Sequence, residues 1–97
     1  MLFRSDWEGS EAEFRQAIAL NPNYAFAHDQ FALGLAFQMR TAESIAESRR
    51  AAELDPLSPQ IWLDAIPAPV WERRFQEAKD LATRSGELDP SFFFRRG

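Results

Sequence analysis

Apolar and small residues recur along this chain at helical intervals, interrupted at a few places. In "DWEGSEAEFRQAIAL", Trp7, Ser10, Phe14, Ala17, Ile18 and Leu20 form one helical stripe. Asp6 is the expected N-cap, and Asn21-Pro22 closes the segment. In "NYAFAHDQFALGLAFQM", Tyr24, Ala27, Phe31, Leu35 and Gln38 fall on one face, and Phe26, Leu33 and Phe37 on another. A helix apolar on two faces is either sandwiched between neighbours or lines a groove. The pattern alone leaves both readings open. In "TAESIAESRRAAEL", Thr41 is the expected cap, with Ile45, Ala52 and Leu54 as apolar points. Ser58-Pro59 reads as a helix start: serine caps, and proline at the first helical position sacrifices no hydrogen bond.

Pro67 and Pro69 interrupt the helix that starts there. An interior proline removes one backbone bond and clashes with the preceding turn, at about 3 kcal/mol. It also biases the residue before it, here Ile66 and Ala68, away from helical angles. The expectation is a helix from Pro59 that stops by about Ile66. A second helix then begins near Pro69 or Val70 and runs through "VWERRFQEAKDLATRS" to Gly86. A kinked but continuous helix is the alternative.

The segments repeat. "ALNPNY", "ELDPLS" and "ELDPSF" place Pro22, Pro56 and Pro90 at successive intervals of 34 residues. Leu20, Leu54 and Leu88 keep that register, as do the small residues Ala17, Ala51 and Ser85, and Ser10, Ser44 and Ala78. Trp7, Thr41 and Phe75 align more loosely. A 34-residue helical period with these signatures resembles the tetratricopeptide repeat (TPR) over essentially the whole chain. Trp62 stands where the family favours an aromatic residue. His28 departs from the pattern at the equivalent position, and Phe31 and Ala32 stand where leucine and glycine are usual. The resemblance implies an all-α fold of antiparallel helix–turn–helix units stacked as a short right-handed superhelix. About five helices are expected, with the third unit's first helix broken by its prolines. The expected divisions of this single domain are 6–22 (second helix of a partial repeat), 23–56 (full repeat), 57–90 (degenerate full repeat) and 91–97 (truncated start of a next repeat). Phe14, Ala17, Phe31, Ala51, Trp62, Phe75 and Ala78 are the expected repeat-packing residues. The small ones let helices approach, and a larger side chain there would overpack the joint. Opening on a second helix and closing on "SFFFRRG", the sequence reads as a fragment of a longer array.

Composition narrows the function. At 97 residues the chain makes at most one domain. A net charge of −4 argues against direct nucleic-acid binding. The absence of cysteine excludes disulfides, thiolate metal sites and a cysteine nucleophile. No apolar run is long enough for a membrane span, and no signal peptide is visible, so the expected location is cytoplasmic. The arginine pairs at 49–50, 73–74 and 95–96 read as solvated helix faces with local ion pairs. One histidine gives zinc nothing to build on. The carboxylates sit singly on helix faces, and no P-loop, G-x-S-x-G or G-x-G-x-x-G is present. Neither catalysis nor a cofactor is expected.

TPR arrays bind a peptide or helix of another protein along a concave face lined by the first helices. Carried over by position, the resemblance assigns Phe26, Asp29, Leu33, Ala36 and Phe37 to that groove. The family's best-known groove clamps a C-terminal carboxylate with lysine, arginine and asparagine, and none of these occurs between Ala25 and Met39. The expected partner is therefore an apolar or weakly basic peptide, not a carboxylate-bearing chaperone tail. More loosely, the sequence resembles the repeat regions of large bacterial regulators, in which TPR units accompany a winged-helix, cyclase or kinase domain. That implies the alternative: a self-association or sensing arm, as a homo-oligomer or beside further repeats.

Overall fold

Helix ends recur every 34 residues because the same terminating turn is built each time. The structure, a computed structural model, describes the backbone of residues 4–91 and the side chains of residues 7–91. These form six helical segments and no strand: α1 (Arg4–Leu20), α2 (Ala25–Phe37), α3 (Thr41–Leu54), α4 (Pro59–Asp64), α5 (Pro67–Trp71) and α6 (Phe75–Leu88). The aromatic run Phe92 to Phe94, and with it all but the first residue of the expected start of a next repeat at 91–97, lies outside the described residues. At the ends of α1, α3 and α6, the N–H of Asn21, Asp55 and Asp89 donates to the carbonyl of Ala17, Ala51 and Ser85 at 2.9–3.0 Å.

The return turns match equally well. Met39 N–H donates to Ala36 O and Arg40 N–H to Leu35 O, both at 2.9 Å. Thirty-four residues later, Arg73 N–H donates to Val70 O at 3.0 Å and Arg74 N–H to Pro69 O at 2.8 Å. This pair of bonds is the Schellman motif, which needs a left-handed residue after the helix. Met39 (φ 63°) and Arg73 (φ 58°) supply it in place of the usual glycine.

These turns correct several expectations. The helix through "VWERRF" does not form, because the Schellman turn at Glu72–Arg74 closes α5 and reverses the chain into α6. Thr41 is not a cap: Arg40 holds that position, and the Thr41 hydroxyl donates instead to Glu72 Oε2 at 2.7 Å. Asp6 lies inside α1, which starts at Arg4. Ser58 is the N-cap of α4 with extended backbone, but its side chain makes no capping bond.

The proline break also differs in detail. α4 ends at Asp64, before Ile66 as expected. Ile66 nevertheless keeps helical angles (φ −71°, ψ −42°), and Ala68 lies within α5, which starts at Pro67 rather than Pro69. Missing N–H groups, not displaced dihedrals, break the ladder: Pro67 and Pro69 have nothing to donate to Leu63 and Ala65. The chain tightens instead, with Ala65 N–H on Trp62 O at 3.3 Å and Ile66 N–H on Leu63 O at 3.2 Å. Together α4 and α5 cover 59–71, the span of α2 moved by 34, so the broken element still fills its slot.

The core sits at the first joint. Trp7, Phe31 and Leu35 are buried there, with Phe14 and Ile18 packed against them. Phe14 and Phe31 stack with centroids 5.7 Å apart. Gly34 admits the Trp7 indole, since a Cβ at that position would stand 2.7 Å from Trp7 Cη2. Arg40 clamps the edge of this joint, its Nη1 donating to Glu11 Oε1 at 2.7 Å and its Nη2 to Glu11 Oε2 at 3.0 Å. These bonds, with a further one from Arg15, hold the Glu11 carboxyl down to about 2.

Candidate protein-binding surface

Of the five residues assigned to the groove, Phe26 and Phe37 stand open on α2, at 55% and 62% exposure, and Leu33 is half-buried. Asp29 and Ala36 are corrections: both are buried, Asp29 at 2% exposure. α4 and α5 pack over that side of α2. Trp71 of α5 reaches back, and its Nε1–H donates to Ala36 O at 3.0 Å. The surface α2 offers is therefore a stripe of Phe26, Gln30, Leu33 and Phe37, with half-exposed Trp71 beside its end. Trp71, Gln30 and Asp64 were missed from the sequence. The signal for Trp71 was available, since it stands 34 residues after Phe37.

Beneath the stripe lies a carboxyl pair. Burial first, and then the hydrogen bond and charge of Asp64, push the Asp29 carboxyl up to about 8. Asp29 therefore keeps its proton at neutral pH. Gln30 Nε2 donates to Asp29 at 3.2 Å and Gln60 Nε2 to Asp64 at 2.8 Å. Each of these bonds lies within one helix, the first in α2 and the second in α4, so the contact between the two helices here is the carboxyl pair itself.

The packing residues divide in the same way. Phe31, Ala51 and Ala78 are buried, Phe14 is half-buried in the core, and Trp62 is half-buried. Ala17 and Phe75 are exposed, against expectation. Residues at these positions are covered by a neighbouring first helix, and no such helix lies against them among the described residues. Trp7, two repeats before Phe75 and covered by α2, is only 4% exposed, whereas Phe75 is 60% exposed.

His28 resolves its own departure from the pattern. Trp62 Nε1–H donates to Pro56 O at 2.8 Å. His28 Nε2 lies 2.8 Å from Pro22 O, the same atom one repeat earlier. The imidazole thus reproduces the indole's bond to the repeat-ending proline, and its Nδ1 adds a contact to Glu47 Oε1 at 2.7 Å. Among the described residues, no group of three His, Cys, Asp or Glu could hold a metal ion. None of their helices is long and apolar enough to cross a membrane.

No protein-family model matches the chain, and no curated protein sequence does. Solved structures do match, 32 chains in all. One is YrrB, described as a TPR protein with an unusual peptide-binding site, at a TM-score of 0.82 and 19% identity. The match covers 89% of this chain and 44% of YrrB, so the chain spans less than half of that protein's length. With its 34-residue helix ends, repeated Schellman turns and this likeness, the chain has the fold of a TPR-like protein.

Proposed function

We propose that the chain is a protein–protein interaction scaffold that receives an apolar segment of another protein along the open face of α2. The observation that carries this reading is the stripe of Phe26, Leu33 and Phe37, continued by Trp71. Phe26 and Phe37 are about 16 Å apart along the helix, a fitting length for anchors of a bound helix or extended peptide. Large exposed aromatics in one row are uncommon on a surface that meets only water. Gln30 and the half-exposed Asp64 are the polar groups beside them, which suits an apolar or weakly basic partner and disfavours an acidic tail. The likeness to YrrB, itself a peptide binder, supports the class of function but not this site. Catalysis forms no part of the proposal.

The test is selection of peptides from a random displayed library, followed by calorimetry against wild type and the double variant Phe26→Glu/Phe37→Glu. Peptides that bind wild type and lose at least tenfold on a folded double variant support the reading. Equal binding to both removes it. The exposed Phe75 favours a second reading, self-association through the outer face of α6. Sedimentation across a concentration series decides it, and a concentration-independent monomer sinks it.

A further inference from the structure

The two joints of this array are built on the same register but filled differently. Trp7, Phe14, Ile18, Phe31 and Leu35 pack the first joint. Thirty-four positions later stand Thr41, Ser48, Ala52, Ala65 and Pro69, every one of them smaller. α4 and α5 together occupy the register of α2, and the lost side-chain volume is not refilled. A cleft of about 370 Å³ results, and Ser48, Ala52, Ala65 and Pro69 line it. The edge clamp is missing too. Ile45 stands where Glu11 binds Arg40 at the first joint, and no ion pair crosses from α3 to α6 among the described residues.

We propose that this cleft, between α3 and α6 with α4 as its floor, binds a small neutral aromatic molecule of about two fused rings. A cavity of roughly 150 Å³ with apolar walls stays dry and accepts one benzene ring. The volume here suits a bicyclic ligand and lies at the small end of ligand pockets. Ile45, Ile61, Trp62 and Leu81 complete the apolar walls. The Trp62 indole is fixed in advance by its bond to Pro56 O, so it presents a rigid surface for stacking. Arg49, Glu53 and Glu77 stand at the margin with mixed sign, and no charged group is buried inside, so neither an anion nor a cation is selected. The Ser48 hydroxyl lies in the wall without a protein hydrogen-bond partner, where a ring N–H or O–H would meet it. Phe26, Leu33, Phe37 and Trp71 do not line the cleft, so the site is separate from the open face of α2.

Indole is the probe, titrated into labelled protein and followed by ¹H–¹⁵N shifts. Saturable shifts at Ser48, Ala52, Ile61 and Ala65, with Kd on the order of 0.1–1 mM, are expected. Ser48→Phe and Ala65→Phe each restore the ring found one repeat earlier, and each should weaken indole binding at least tenfold while raising the thermal midpoint. Using both guards against one failing to fold, and Ala52→Ile is a milder third. Absence of saturable shifts in wild type overturns the proposal, as do shifts centred on Phe26 and Phe37. Undiminished binding by the folded filled variants also overturns it. If a blocked Gly-Trp-Gly peptide displaces indole and binds more tightly than it, the small-molecule assignment falls in favour of a partner's side chain.

Discussion

Asp29→Asn should change how stability depends on pH. Folding holds the Asp29 carboxyl at about 8, against an ordinary value of 3.8, because it is buried beside Asp64. Between those two values the folded protein keeps a proton that the unfolded chain has released. Stability therefore falls as pH rises through this window, with the full contribution present below 4 and lost above 8. The gap between those two values sets a ceiling of about 5–6 kcal/mol. Asp64 is half-exposed and water reaches the pair from that side, so a realised loss of about 2–3 kcal/mol is expected. That is a large share of the ~5–10 kcal/mol available to a domain of this size. Asparagine keeps the shape and remains neutral at every pH. Its N–H can donate to Asp64 and its oxygen can accept from Gln30. Urea unfolding at half-unit steps from pH 5 to pH 9 is the assay. The variant should be close to wild type at pH 5 and about 2–3 kcal/mol more stable than it at pH 8.5. Parallel stability profiles for the two proteins would refute the reasoning, because they would mean that Asp29 ionises in the folded state as it does in the unfolded one.

Gly34→Ala should destabilise by about 1–3 kcal/mol although alanine favours helix, because the new methyl meets the Trp7 ring; thermal unfolding by circular dichroism would show a midpoint lower by several degrees. Glu11→Ala should cost about 1 kcal/mol in low salt, and the cost should shrink in 1 M NaCl as the Arg40 clamp is screened. The Glu11 contribution is present above the ordinary carboxylate range and is lost as pH falls toward about 2, so the penalty should also vanish in acid. Met39→Gly should stabilise by up to about 1 kcal/mol by relieving the left-handed turn, measured as a higher urea midpoint with an unchanged slope; no gain would argue that Met39 compensates through contacts of its own.

The repeat was legible because it is written in local chemistry. Leu-Asp-Pro or Leu-Asn-Pro ends a helix wherever it occurs, so the closures after Leu20, Leu54 and Leu88 follow from adjacent residues. The interruption at Pro67 was legible for the same reason, since a missing N–H needs no neighbour to act. Its form was harder to read. Whether the chain leaves helical angles or merely loses two bonds depends on the slot that α4 and α5 must fill against α2 and α3.

What adjacent residues cannot say is which face of a two-faced helix is covered. α2 carries apolar residues on both sides, and only the arrival of α4 and of Trp71 decides that Asp29 and Ala36 are buried while Phe26 and Phe37 are open. Ala17 and Phe75 obey the repeat's register yet lie exposed, because burial belongs to the neighbour as much as to the residue. The second joint makes the same point in volume. Ser48, Ala52, Ala65 and Pro69 are unremarkable singly and spread over 22 positions; only stacking brings their lost volume together as one cleft. Hydrogen bonding between near neighbours along the chain determined the periodic helices from the sequence alone. Burial, cavity and the raised Asp29 carboxyl were decided by tertiary structure, because each depends on groups that meet only when one repeat is laid against the next.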